Sequence, residues 1–386
     1  MQIHNFFKGD QPLWIVYMTL VMVSVLEVYT SEQALTLRDN DTFTPILVHL
    51  AHHLLGFAVL WVSHLVPVRW FRLATIILPV SWILLICIQL FSGLVNGAVR
   101  WLFATELCKL TTIISIALIL ARTQDDKSAR PTAFSLVLKV LLPSVILIAP
   151  DNLSSGLILL FTGLSVMFIG RIPARQLFGL LGLLFIGASL LVATAKFTPD
   201  SVLIWLNNQP GLHRLSTWCR RLNDFGSQKE INWDLSGPDA QRAAGYMAIV
   251  NGKWLGVGVG NTFMTEYLPL AFSDFIFAII IEELGIPGCI FVVYLYIIFI
   301  VRSYRIARGS PNTFSSLMVS GLAVLLFIQA VINMFVAVGI APITGQPLPL
   351  LSRGGWSIIS SCMIWGIILN VSRYQTKKRI NKSNKL

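Results

Sequence analysis

Charge is what this chain has least of. Only 12% of its 386 residues are Asp, Glu, Lys or Arg, about half the share usual in a soluble domain. That shortage excludes a freely soluble globular fold. The positive case is a 55% hydrophobic content and a mean hydropathy of +0.73. Acidic residues are the scarcer sign, 18 against 29 basic, for a net charge of +11. The surplus is not a nucleic-acid signature. Most Lys and Arg fall in short interhelix loops and the C-terminal tail, where they orient a membrane protein. There are only five cysteines. Cys87, Cys108, Cys289 and Cys362 lie in apolar segments and Cys219 in a long polar loop, so no disulfide framework and no Cys metal site is expected. No small-residue cleavage site follows the first apolar run, from about Pro12 to Thr30, which reads as a retained helix. There is no HExxH pattern. His49 and His53 share a helix face at i,i+4 but have no third acidic ligand nearby, so they read as polar packing, with metal binding the lesser alternative. Gly256-Val257-Gly258-Val259-Gly260 has no βαβ context and is not a nucleotide fingerprint. Its glycines read as close backbone approach and tight turns.

What the chain does have is a series of apolar runs of about 17–25 residues, each long enough to cross a bilayer. They fall at about 12–30, 43–65, 74–92, 102–121, 134–149, 155–170, 176–196, 272–301, 313–340 and 356–372. The expected fold is all-α: one polytopic membrane helix bundle of about ten transmembrane helices, occupying residues 1–386 as a single domain. Alternate connections are rich in Arg and Lys, among them Arg69, Arg72, Arg122, Arg171, Arg175, Arg302, Arg305 and Arg308. The basic tail over 373–386 lies on the same side. The positive-inside rule therefore puts both termini in the cytoplasm. One connection, about 197–271, is long and lies on the outer side. It carries Trp205, Trp218, Trp233 and Trp254 beside Arg214, Arg220 and Arg221, an interfacial pattern suited to membrane lipids.

Three stretches stand out as chemistry. In Ser273-Asp274-Phe275-Ile276-Phe277-Ala278, followed by Glu282-Glu283-Leu284-Gly285, a carboxylate sits at the mouth of a membrane helix. That is costly unless it has a partner, water or a task; the structural alternative is an N-cap from Ser273 or Asp274. The second stretch, Ala341 to Ser357, is stiffened by Pro and Gly and contains Thr344-Gly345-Gln346-Pro347-Leu348-Pro349, Ser352 and Arg353. Non-helical backbone between apolar helices must be packed in protein or line a wet cavity. The third runs from Asn96 to Lys109 and includes Trp101, Glu106 and Lys109. Glu106 and Lys109 are three apart and can pair on one helix face. Glu282 and Glu283 lie deeper in the same run as Asp274 and read as buried acids bonded to neighbouring spans, with a proton relay the lesser alternative.

These stretches resemble the SEDS family, the polytopic proteins typified by FtsW, RodA and SpoVE. The first is similar to its (T/S)DFIFA…EELG signature and the second to its TGxPLPxxSxGGSS loop. The third resembles its NGAxRW…(Q)PSExxK stretch but lacks the longer insert between Trp101 and Glu106. Pro150-Asp151-Asn152 through Gly156 echoes a further turn of the family, whose plain reading is an Asx turn. The resemblance covers about Pro12 to Arg373 and leans, through Thr344 to Pro349, toward the division branch. It implies a peptidoglycan glycosyltransferase that polymerises lipid II, with Asp274 the catalytic residue. It further implies a class B penicillin-binding protein transpeptidase and other division proteins as partners, in the bacterial cytoplasmic membrane with the site on the outer face.

The chemistry of such a reaction needs a base for the acceptor hydroxyl. It also needs cations for the leaving lipid pyrophosphate. Asp274 is the candidate base. Lys109, Arg214, Arg220, Arg221 and Arg353 are the candidate cations, with Trp101, Glu106 and Ser352 as further substrate contacts. No motif requires a cofactor or a resident metal; a divalent cation is the alternative source of positive charge. One carboxylate with no second nucleophile implies inversion. The competing reading is a lipid II flippase or transporter, which needs broken helices and polar groups near the midplane. The elongation polymerase of the RodA type is a third.

Overall fold

The computed structural model describes residues 7–39, 44–91, 102–125, 130–150, 152–198, 202, 219, 240–262 and 274–383. Among them every regular element is helical. In order these are α1 (Gln11–Asp39), α2 (Thr44–Leu65), a 3-10 turn (Val68–Leu73), α3 (Ala74–Phe91), α4 (Leu102–Asp125), α5 (Arg130–Ile148), α6 (Leu153–Ile169) and α7 (Ala174–Phe197). Then come α8 (Ala240–Gly252), α9 (Ile276–Arg308), α10 (Thr313–Ala337) and α11 (Gly355–Ser383). Seven of the helices are long and apolar enough to cross a membrane, and three more, within α5, α6 and α7, are shorter apolar helices. Together they account for the ten runs in the sequence. The eighth run differs in detail: its helix starts at Ile276, not near residue 272, and extends to Arg308.

Burial shows which helix is central. Phe103–Gln124 of α4 is 83% buried, whereas Val68–Leu90 is only 17% buried. Helices α3, α5, α6, α10 and α11 all pack on α4. Small residues let α2 and α11 approach closely. A Cβ on Gly56 would fall 2.8 Å from Cys362 Sγ, and one on Gly366 would fall 2.4 Å from Leu60 O. In lipid, such close packing is the main source of helix association. The last carbonyls of α2 have no helical partner. Asn370 of α11 supplies one, its Nδ2 donating to Ser63 O (2.9 Å), His64 O (2.8 Å) and Val66 O (2.6 Å).

One end of the bundle is tied by a polar knot. Asp10 accepts from Leu13 N at the start of α1 (3.2 Å). The same carboxylate pairs with Arg302 of α9, at 2.5 Å to Nη2 and 3.1 Å to Nε. Asp10 N donates to Ser372 Oγ of α11 (2.9 Å). Gln375 Nε2 of α11 donates to Ile306 O of α9. The start of α1 and the ends of α9 and α11 therefore share one end of the molecule, with the start of α9 at the other.

Helix α9 is broken. Gly285 has φ 64° and ψ −155° inside it, left-handed backbone that favours glycine. Pro287 has no N–H to offer the Glu283 carbonyl. Ile286 N donates instead to Trp254 O (3.1 Å). The carbonyls of Glu282 and Glu283 accept from Val257 N (2.9 Å) and Gly258 N (3.0 Å). A strap from the long connection thus replaces the missing helical bonds. It can approach because Gly256 is bare: a Cβ there would lie 2.1 Å from Glu283 O. The expected role of the Gly256–Gly260 triplet is met, with φ values of 80°, 96° and 83° at Gly256, Gly258 and Gly260. Gly256→Ala is expected to displace the strap and destabilise the protein by about 2–4 kcal/mol. Thermal unfolding in detergent measures it, and Val259→Ala, at an exposed position, should leave the midpoint in place.

Candidate active site

The acidic motif and the Pro/Gly loop, 70 residues apart in sequence, form one structure. Phe275 is the N-cap of α9, and its side chain makes no capping hydrogen bond. Asp274 is half-buried at the helix mouth. Its backbone carbonyl accepts from Asn333 Nδ2 of α10 (3.0 Å), and the same amide nitrogen donates to Gln346 O (2.7 Å). Gly345 takes φ 65°, and a Cβ built on it would stand 3.7 Å from Asp274 Oδ2. The carboxylate thus lies directly against the loop.

The loop from Val338 to Gly354 is irregular, yet tied on every side. Gln346 Nε2 donates to Ser155 Oγ at the start of α6 (2.9 Å). Gln329 Nε2 of α10 donates to Pro347 O (3.2 Å). Tyr296 OH of α9 donates to Pro349 O. Ser24 Oγ of α1 donates to Leu351 O (2.9 Å). Ser352, a candidate substrate contact, is buried, and its Oγ accepts from Leu348 N (2.7 Å). That places its hydroxyl within the loop's own turn. Arg353 beside it is half-buried, and loss of solvent pushes its guanidinium below its ordinary value.

Glu106 and Lys109 form the expected ion pair on α4, at 2.7 Å. Lys109 has no exposed surface, and the Glu106 side chain is 12% exposed. Glu106 Oε2 also accepts from Ser360 Oγ of α11 (3.1 Å). Near the same end of α4, Phe103 packs on Trp356, ring centroids 4.7 Å apart. The pair thus joins the central helix to the helix that follows the loop. The other candidate contacts, Trp101, Arg214, Arg220 and Arg221, lie outside the described residues.

The buried acids deeper in α9 are bonded to the long connection. Glu282 Oε1 accepts from Asn251 Nδ2 of α8 (2.8 Å), and Glu283 Oε1 accepts from Gly260 N (3.2 Å). Asn152 caps α6 by accepting from Ser155 N (3.1 Å), the Asx geometry its sequence suggested. Among the described residues, no three of His, Cys, Asp and Glu converge to hold a metal.

Residue-type reasoning passed over Asn333, Gln329, Tyr296 and Ser24. A signal was present for two of them. Gln329 and Asn333 are amides at i,i+4 in an otherwise apolar helix, both almost fully buried, and polar side chains on one face of a membrane helix mark something they must bond.

The architecture defines a class: an integral membrane bundle whose re-entrant loop and half-buried carboxylate share one mouth. A profile of the cell cycle protein family of FtsW, RodA and SpoVE matches residues 10–377. The chain belongs to that family and is a bacterial integral membrane protein. It is 28% identical to the probable peptidoglycan glycosyltransferase FtsW of Coxiella burnetii, over 98% of this chain and all of that one. It is 30% identical to the protein of the same name from Methylococcus capsulatus, covering 91% of this chain and 85% of the relative. The peptidoglycan glycosyltransferase MrdB of Escherichia coli is 28% identical over 85% of each chain. The fold of this chain matches that of a chain from a peptidoglycan synthase complex in which polymerization and crosslinking are coordinated, with a TM-score of 0.70, 23% identity and coverage of 95% of this chain and 98% of that one. It also matches Thermus thermophilus RodA, at 0.63 and 21% identity over 96% and 99% of the two chains.

The ion pair gives a direct test. Glu106→Leu leaves a buried ammonium unpaired and is expected to destabilise the protein by about 3–5 kcal/mol. Adding Lys109→Met should recover most of that in a thermal melt. A recovered fold without activity would give the pair a role beyond stability.

Proposed function

We propose that this chain is a peptidoglycan glycosyltransferase that polymerises lipid II into glycan strands during septal wall synthesis. The site lies on the outer face of the bacterial cytoplasmic membrane, and both termini lie in the cytoplasm. The observation that carries this reading is the Asn333 amide, which bonds the carbonyls of Asp274 and Gln346 together. It sets an acid against a rigid loop at the mouth of the bundle. The names of the relatives in Coxiella and Methylococcus support it.

In this mechanism the Asp274 carboxylate takes the proton of the acceptor sugar hydroxyl. The hydroxyl oxygen then bonds to the anomeric carbon of the donor as the bond to the lipid pyrophosphate breaks on the opposite side. One displacement inverts that carbon. Positive charge meets the leaving pyrophosphate. Arg353 is the described candidate nearest the loop; Arg214, Arg220 and Arg221 are the candidates in the long connection, and a divalent cation is the alternative. Lys109 and Glu106 support the wall of the site from α4, and Trp101 is a further candidate substrate contact. Ser352 sets the loop turn that presents Arg353.

A class B penicillin-binding protein supplies the transpeptidase, and other division proteins regulate the pair. The synthase complex among the structural neighbours supports a partner of that kind. The elongation role is the nearer rival, since MrdB is as similar as the first FtsW relative. Midcell recruitment of a fluorescent fusion favours division, and recruitment along the side wall favours elongation. A flippase would use the break at Gly285. Backbone groups freed there are bonded to the strap, which weighs against a substrate cradle in the break.

Purified protein given lipid II in detergent should make polymer without two compartments, as no transporter can. Asp274→Asn should lower the rate by about 10²–10⁴-fold with an unchanged melting curve. A folded Asp274→Asn protein polymerising at the normal rate would overturn the assignment.

A further inference from the structure

Basic residues converge where α10 begins. The chain leaves α9 at Arg308 and enters α10 at Thr313, at the end of the bundle tied by Asp10. A cavity of about 340 Å³ opens there between α4, α10 and the 3-10 turn. Arg72 of the turn and Arg122 in the last turn of α4 line it, together with Thr313 and Phe314 of α10. The Arg72 guanidinium lies 5.7 Å from the centre of the Phe314 ring, a cation–π contact that holds it beside the first turn of α10.

The cavity gathers positive charge. Among the described residues, no Asp or Glu lines it and neither arginine forms an ion pair. The helix adds to the field. Its N-cap, Asn312, makes no side-chain capping bond. The first N–H groups of α10 therefore need an acceptor from outside the helix, at the positive end of its dipole. Two guanidinium forks beside such a helix start suit the oxygens of a phosphate.

The depth of the cavity points to where the phosphate comes from. The span Val68–Leu90 begins at this end and Phe103–Gln124 finishes here, so the cavity lies at headgroup height. Trp70 and Leu73 are exposed on the same turn as Arg72, side chains suited to the border between headgroups and acyl chains. Basic pockets between transmembrane helices on the cytoplasmic side take anionic lipid headgroups. We propose that Arg72, Arg122 and the start of α10 hold the phosphate of an anionic phospholipid from the cytoplasmic leaflet. The bound headgroup joins α4, the most buried span, to α10, the helix that carries Asn333.

The test uses the full-length protein, delipidated, in a neutral detergent. Phosphatidylglycerol should raise its melting temperature and stay bound in native mass spectrometry. Phosphatidylcholine, whose phosphate is balanced by its own cation, should do neither. Arg72→Gln/Arg122→Gln should melt like the wild type without lipid and bind phosphatidylglycerol about 10-fold or more weakly. The charge-matched Arg305→Gln/Arg308→Gln variant, changed at exposed positions outside the cavity, should bind as the wild type does. Lipid selectivity in the wild type is a readout that needs no variant to fold. Equal effects of the two lipids, or equal loss in the two double variants, would overturn the proposal. So would inorganic phosphate alone producing the whole shift, since the ligand would then be a free ion. None of these measurements depends on polymerase activity, so the lipid site can fail while the glycosyltransferase reading stands.

Discussion

A backbone that leaves the helix inside a greasy bundle must find every hydrogen bond within the protein. That constraint shapes both unusual parts of this fold. At the break in α9, Gly285 turns the chain and Pro287 removes a donor. A glycine strap then takes the two carbonyls left over. At the loop from Val338 to Gly354 the answer is different: side chains from α1, α6, α9 and α10 reach in and bond it one carbonyl or amide at a time. Ser24, Gln329 and Asn333, polar residues buried in these apolar helices, are thus accounted for by irregular backbone next to them.

The same constraint explains what positions the acid. Asp274 is aligned through its main chain, by an amide whose other bond goes to the loop. A carboxylate placed this way is oriented without drawing on the hydrogen bonds its own oxygens make. The Glu106–Lys109 pair works at a different level. It fastens α4, the most buried helix, to α11 through Ser360.

Much of the architecture was legible in the sequence, because bilayer thickness sets segment length and apolar content marks each segment. The ten runs are the ten apolar helices, and the Glu106–Lys109 spacing forecast an ion pair that forms. The Asp274 and Ser352 stretches were also legible as the places where polar residues interrupt apolar ones. Their meeting was not, since it depends on Asn333, an amide that reads alone as one polar residue in a hydrophobic run. The start of α9 was misplaced by a few residues because Phe275 is as apolar as Ile276 although only the latter is in the helix. The Gly285 break was hidden too: Glu-Leu-Gly-Ile-Pro within an apolar run shows a kink, but nothing local names the strap that fills it. Ser24 was invisible as a support of the loop because its acceptor, Leu351 O, lies far along the chain.

The knot at Asp10 carries a mechanical consequence. Arg302 and Ser372 lash the start of α1 and the lower portions of α9 and α11 to one point. Those three rods cannot slide past each other lengthwise. A widening of the opposite end can then proceed as a splaying about that point, like compass legs about their pin. Small angular changes there become the largest displacements where Asp274 stands.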